Sequence, residues 1–411
     1  RGMYFAMFFG GITLISLIYS LIAFFKYYFY IKDDSLIIEK GVITKTKTSV
    51  PFDRIQTVNF EQNFLQQIVG VVAVKIDTAG SKGNEFDMSA LEKDKAEELR
   101  NYILSNKKEI VIDDAGKQVA IVKEEKKTLL MRLNPIDLLK VGVSQNHLRT
   151  FGILFFFGLS AMEELERALK VNLFDRVEEF GSGYTSSFIA IIGVAIFILI
   201  FTFIISLINT VLRYFDLQFF KTNKGFKLVA GLFNRKEQAA MNHKIQMINW
   251  KTNPIRKAFG MYTLSLRQAA ASEIDAKKTV QIPGLYGPQL EVVKKTYYPA
   301  YGRETFTEHK MSVSFLYRAI FYYALLPSLI VACISYGSYL FPEEYTFPIW
   351  APLPTFIILV LLLFFYWKNW RLKIDHEALQ VHSGIIGKYD TLVKHFKVQN
   401  VEITTNIYQR R

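Results

Sequence analysis

Arg54, Lys244 and Lys397 set a cation at one position of a recurring pattern, and Gln56, Gln246 and Gln399 each follow two residues later. A guanidinium or ammonium beside an amide suits an anionic partner. The cation pairs with a lipid phosphate or a carboxylate, and the amide pairs with a partner's backbone. Each cation stands thirteen residues after a glycine: Gly41, Gly231 or Gly384. The same ruler puts Ile55, Ile245 and Val398 at offset fourteen, Val58, Ile248 and Val401 at seventeen, and Asn63, Asn253 and Asn406 at twenty-two. Gly70 and Gly260 share offset twenty-nine. Matches at so many fixed offsets mark an internal repeat. Purely structural roles stay open for every one of these residues. A cation beside a strand also serves as a solvated charge or local ion pair, a glutamine satisfies a loop of its own domain, and an asparagine fills a turn or cap.

The surroundings of the repeats are apolar. With 51% hydrophobic and 15% aromatic residues over 411 positions, the chain is too greasy for an ordinary soluble protein. Its net charge of +13 admits nucleic acid, an anionic lipid surface or an acidic protein as partner. Cys333 is the only cysteine, so no disulfide framework forms within the chain.

Residues 3–25 carry no charge and are long enough for a transmembrane helix. A signal peptide is the competing reading, but no small-residue cleavage site precedes Lys26. The start at Arg1-Gly2 leads us to expect preceding sequence. Residues 27–104 form a first small mixed module. Val72, Val74 and Ile76 alternate as one face of a strand, Ser89 and Glu92 have capping-box spacing, and Ala96, Leu99, Tyr102 and Ile103 make the stripe of a closing helix.

Residues 105–145 are a charged linker with a hairpin over 110–122, turning at Asp114-Ala115-Gly116, and a helix opened by Asn134-Pro135 that lies at the membrane surface. Residues 146–212 form a transmembrane hairpin whose first arm, 150–162, needs upstream residues to span. The loop 163–187 has six acidic and three basic residues, while Arg213, Lys221, Lys224 and Lys227 follow the second arm. The positive-inside rule then sets the repeats in the cytoplasm. A second module covers 214–298, with Tyr262, Leu264 and Leu266 on one strand face, a long loop over 268–285, and a closing helix over 287–295. Residues 315–367 form a further hairpin, its first arm kinked at Pro327 and its second, from Tyr345, delayed in becoming regular helix by Pro348, Pro352 and Pro354. The third module, 370–411, stops before a last strand and closing helix, so we expect it to be incomplete.

The run Pro51-Phe52-Asp53-Arg54-Ile55-Gln56-Thr57-Val58, then Phe64-Leu65-Gln66-Gln67-Ile68-Val69-Gly70 and a strand, resembles the signature of the bacterial pleckstrin-homology-like (bacterial PH domain) membrane proteins of the YdbT type. Arg132 to Lys140, just ahead of a hairpin, is similar to the same pattern. The second and third copies depart from it, with Met241-Asn242-His243-Lys244 and Lys394-His395-Phe396-Lys397. The resemblance implies an α+β polytopic membrane protein of the bacterial inner membrane, with three cytoplasmic PH-like modules, the third incomplete. It also implies an initial hairpin and a smaller companion membrane protein with one such module.

Catalytic signatures are missing from the sequence. The six histidines form no metal-ligand pair, no phosphate-binding loop or nucleophile elbow occurs, and Gly181-Ser182-Gly183 lacks a strand before it and a helix after it. The long spans hold no ionisable residue, which disfavours a transporter, and no nucleic-acid motif accompanies the basic charge. The leading expectation is a non-enzymatic scaffold, without cofactor or metal, whose modules bind each other, a companion protein or anionic lipid headgroups, with homo-oligomers possible. The alternative is a lipid-handling or antimicrobial-peptide export and immunity component, a role the resemblance implies. An enzyme is the third and least supported.

Overall fold

The computed structural model describes residues 2–78, 86–105, 110–112, 118–120, 127–145, 147, 151–153, 156–157, 160, 164, 167, 187–268, 279–302, 306–340 and 348–403. These form two compact units, one built from 1–128, 221–239 and 270–277, the other from 129–220, 240–269 and 278–411. Among the described residues, four helices are long and apolar enough to cross a membrane: Phe8–Phe25, Ile196–Tyr214, Val313–Leu340 and Pro352–Asn369. The arm expected over 150–162 and the acidic loop lie largely outside the described residues.

The first unit begins with α1 (Gly2–Phe25), then β1 (Tyr28–Lys32), β2 (Ser35–Lys40) and β3 (Thr46–Pro51), an antiparallel sheet of that order. Next come β4 (Ile55–Asn63), a short helix α2 (Phe64–Val69), β5 (Val71–Thr78), β6 (Phe86–Glu92) and α3 (Lys93–Ser105). Leu36, Ile38 and Val50 from the first sheet close on Val58, Phe60, Val74 and Ile76, and Ala96, Leu99 and Ile103 of α3 complete this core. Tyr102, expected in the helix stripe, is exposed and meets Phe52 edge-on at 6.0 Å. Ser89 is not a helix cap. It lies in β6, which stays extended through Glu92, and its carbonyl accepts from the Gln66 amide at 2.6 Å. β7 (Ile110–Ile112) and β8 (Gln118–Ala120) pair as the expected hairpin, whose turn lies outside the described residues.

β9 (Lys127–Arg132) leads to α4 (Pro135–Val143), capped by the Asn134 side chain, which accepts from the Asp137 amide at 2.7 Å. In the second unit α4 packs on α5 (Ser187–Tyr214) so closely that a Cβ on Gly142 would collide with Leu207. β10 (Gln218–Thr222), β11 (Gly225–Ala230) and β12 (Asn234–Met241) follow, then β13 (Ile245–Thr252), α6 (Pro254–Ala258), β14 (Met261–Gln268), β15 (Thr279–Tyr286) and α7 (Gly287–Tyr297). Residues 279–285 are therefore strand, not loop. Pro283 and Gly284 interrupt the alternation of Val280, Ile282 and Leu285 that would have revealed it. On β14, Leu264 and Leu266 point inward as expected but Tyr262 is only half-buried. A bulge between Tyr262 and Leu264 hands the inward place to Met261.

β16 (Thr307–Lys310) precedes a helix that runs as α8 (Val313–Ile320), a π-helical turn (Phe321–Leu325) and α9 (Leu326–Leu340). The break expected at Pro327 takes the form of that wider turn, because proline offers no N–H to the carbonyl of Tyr323. α10 spans Pro352–Asn369, so the second arm becomes regular helix only from Pro352, consistent with proline's fit to a first turn. β17 (Arg371–Ile374), β18 (Ala378–Ser383) and β19 (Lys388–Lys394) are the last strands among the described residues.

Two seven-stranded sheets order these strands. One runs β6-β5-β4-β12-β11 and continues with β10 and β9; the other runs β15-β14-β13-β19-β18-β17-β16. In each, strands of one repeat lie edge to edge with strands of the next.

Candidate functional site

The repeat glycines set the geometry. Gly41, Gly231 and Gly384 have φ of +120°, +114° and +118°, and a Cβ on any of them would strike the carbonyl oxygen three residues on. Only glycine fits there, which is why the ruler starts from it. The bulges repeat too. Register shifts fall between Ile55 and Thr57 and between Ile245 and Met247, at the same offsets.

Arg54, Lys244 and Lys397 all end the tight turn that leads into the offset-fourteen residue. Arg54 closes a single turn, Phe52–Arg54, where the Ile55 amide donates to the Phe52 carbonyl. Lys397 closes the matching turn, His395–Lys397, with Val398 donating to His395 at 3.0 Å. In the second copy the bond comes one residue earlier, from the Lys244 amide to the Met241 carbonyl at 2.9 Å. The three differ in surroundings. Arg54 is exposed and Lys244 half-buried, while the Lys397 ammonium donates to the His243 carbonyl, so the third turn reaches the second. Beside it Lys394 lies over the Tyr297 ring at 5.2 Å, and burial pushes its amine down.

The glutamines diverge in the same way. The Gln56 side-chain oxygen is buried with no hydrogen-bond partner among the described residues. Gln246 accepts the Tyr297 hydroxyl at 2.7 Å through its backbone carbonyl, and Gln399 is exposed outside any strand. Asn63 and Asn253 are helix caps. Asn63 exchanges bonds of 2.9 Å with Gln66, and Asn253 accepts from the Arg256 amide at 2.8 Å while its own amide donates to the Ser144 carbonyl at 2.8 Å. Asn406 lies outside the described residues.

The strongest arrangement is the pair of seams between repeats. β12 lies against β4 with Asn234 opposite Asn63, Arg235 opposite Gln62 and Lys236 opposite Glu61. β19 lies against β13 over six pairs, from Thr252 opposite Lys388 to Met247 opposite Val393. Counted from the repeat glycines, the offsets of every opposed pair sum to twenty-five in both seams. The two junctions therefore share one register.

Side chains that were not among the candidate binding residues line each seam. At the first, the Gln67 amide donates to the Leu232 carbonyl at 2.8 Å and Phe64 meets Phe233 edge-on at 5.4 Å. Glu237 pairs with Arg100 at 2.9 Å and with Lys227 at 2.7 Å, all three mostly buried, and Arg100 stacks on Phe60 at 4.2 Å. Burial pushes the Lys227 amine down, against the opposing pull of Glu237. At the second, Lys294 stands over Trp250 at 4.6 Å, repeating the cation above the offset-nineteen ring. Asp390, six residues after its glycine as Glu237 is after Gly231, accepts from Gln380 at 2.9 Å and meets His382 at 2.9 Å. The acid at offset six was readable in the sequence, but its partners are not local.

Among the described residues no group of three or more His, Cys, Asp or Glu side chains is placed to hold a metal. Antiparallel sheets beside apolar helices of membrane-spanning length define a membrane protein. The bacterial PH domain model matches residues 3–107, 172–301 and 321–411, and the chain belongs to that family. It is 24% identical over 407 residues to the UPF0699 transmembrane protein YdbT of Bacillus subtilis (strain 168), covering 95% of this chain and 79% of that protein. No solved structure matches the chain.

Proposed function

We propose that the protein is a non-catalytic membrane scaffold whose three PH-like modules stand on the cytoplasmic side and work by docking. They dock on one another, on a companion membrane protein with a module of the same type, and on anionic headgroups through the exposed turn cation Arg54. The observation that carries this reading is the seam itself. A module edge that twice accepts the edge of another, in one register, is a binding surface already in use. The basic residues after the apolar helices support the cytoplasmic placement.

Gentle native purification followed by mass spectrometry of bound proteins and lipids tests it. The expected result is a co-purifying membrane protein with a module of this fold, or a second chain, together with anionic lipid. A strictly monomeric protein that holds neither would overturn the reading.

A further inference from the structure

Arg256 is a buried cation without a counter-ion among the described residues. It stands on α6 with 5% of its surface exposed, donating from Nε to the Ser144 hydroxyl at 3.0 Å and from Nη1 to the Thr263 hydroxyl. Both acceptors are neutral. Burial pushes the guanidinium down, and the groups that oppose this are the Tyr214 and Tyr389 phenols, uncharged at neutral pH. A guanidinium is a planar fork of five N–H donors, and two single bonds leave that fork unfilled.

A charge held away from water is costly until something pairs with it. The fold does not ask for this one. Arg256 stands twenty-five residues after Gly231, and the same offset in the first repeat holds Gln66, where a neutral amide serves an equivalent short helix capped by asparagine. The position instead lies at the end of a span. Ser144 closes α4, and Gly142 just before it lies against Leu207, within the last two turns of α5, a helix of membrane-spanning length that ends at Tyr214. Ile255 and Phe259, the apolar neighbours of Arg256 around α6, are 47% and 36% exposed. Apolar surface at the end of a span suits acyl chains, and a cation beside it suits a headgroup.

We infer that Arg256 anchors a phosphate-binding site where α6 meets the ends of α4 and α5, and that its ligand is the headgroup phosphate of an anionic membrane lipid. The phosphate fills the open part of the guanidinium fork, a geometry that arginine shares with phosphate and glutamine does not. The acyl chains lie along Ile255, Phe259 and the apolar side of α5. The inference deepens the headgroup part of the scaffold reading but needs only that α5 spans the membrane, not which side α6 faces.

The test uses the full chain in a neutral detergent at about 1 M salt, where the screening length is about 3 Å and exposed cations such as Arg54 lose their hold on lipid. The unfolding midpoint is followed as phosphatidylglycerol, phosphatidylcholine or inorganic phosphate is added. Phosphatidylglycerol is expected to raise the midpoint of the parent and of Arg54→Glu, with no rise from the other two additions. Arg256→Gln, the residue the first repeat uses, should lose the rise, and Arg256→Lys should keep part of it. No rise in the parent, or an equal rise in Arg256→Gln, overturns the inference, and an equal rise with inorganic phosphate overturns the lipid as its source. Should Arg256→Gln fail to fold, native mass spectra of the salt-washed parent decide: a retained anionic lipid is expected, and none, or a bound protein in its place, overturns the inference. Failure here with lipid still lost from Arg54→Glu at low salt leaves docking through Arg54 standing, whereas a parent that retains no anionic lipid at either salt level removes both.

Discussion

Tyr298 donates its hydroxyl to the carboxylate of Asp375, 3.0 Å from each oxygen. Both residues are buried, and Asp375 also accepts from the amides of Glu377 at 2.8 Å and Ala378 at 3.1 Å. The end of α7 is thereby tied to the turn before β18 through a buried charge. Tyr298→Phe removes one bond to that charge and is expected to cost about 1.5–3 kcal/mol. Tyr301→Phe, whose hydroxyl meets Gln380 at 3.5 Å and the Lys294 ammonium, is expected to cost less, about 0.5–1.5 kcal/mol. Thermal unfolding of the two variants in detergent checks the difference.

Glu237 neutralises two mostly buried cations, Arg100 and Lys227. Glu237→Gln leaves them facing one another without a counter-charge, at an expected cost of about 3 kcal/mol. Adding Lys227→Met removes one stranded charge and should recover part of that loss. A double variant no more stable than Glu237→Gln would show that Lys227 does not share the carboxylate. Hydrogen exchange along β4 and β12 would show whether the damage is confined to the seam.

Much of this was legible in the sequence, and what was hidden has a physical cause. The glycine ruler could be read because positive φ at Gly41, Gly231 and Gly384 admits no other residue without a collision. The inward face of β5 followed from the alternation of Val72, Val74 and Ile76, all fully or nearly buried. The seams could not be read, since local pattern does not say whether β4 pairs with a strand of its own repeat or of the next. Bulges misplaced Tyr262, and Pro283-Gly284 concealed β15, because each breaks the two-residue period on which strand recognition depends. Of the candidate binding residues, shared position in the turn was legible but surroundings were not. Lys397 spends its ammonium on the His243 carbonyl, a partner 154 residues away.

Tyr286 hydrogen-bonds Asp137 at 2.7 Å and links β15 to α4. Burial, and then the bond to that carboxylate, push its phenol from 10.0 up to about 12. An unfolded chain gives up this proton first as pH rises. The stabilisation is therefore complete below pH 10 and is lost as pH climbs towards about 12. The unfolding midpoint should fall over that interval, and Tyr286→Phe should flatten this part of the profile. An unchanged slope in Tyr286→Phe would assign the loss to other groups.

Asn63 and Asn253 stand at the same offset and cap equivalent short helices, but only Asn253 also holds the end of α4, through the Ser144 carbonyl. Arg256, buried on the same helix, donates to the Ser144 hydroxyl at 3.0 Å. Asn63→Ala loses a cap worth about 1 kcal/mol. Asn253→Ala loses that cap and a second bond, so about 2 kcal/mol is expected. Hydrogen exchange should rise in α4 for Asn253→Ala and stay unchanged there for Asn63→Ala.

The turn cations separate the headgroup reading from a packing role. Arg54 is exposed, and its turn is anchored by Phe52 in the core, so a charge change there leaves the fold intact. Lys397 donates to the His243 carbonyl, so replacing it disturbs the second turn. A basic residue near an anionic surface contributes about 1 kcal/mol, roughly a fivefold change in occupancy. Arg54→Glu should lower the anionic lipid retained in native mass spectra by at least about that factor while leaving the unfolding midpoint unchanged. Lys397→Met should lower the midpoint and change lipid retention little. If instead both variants retain lipid as the parent does, the cations serve the fold alone, and docking rests on the strand seams.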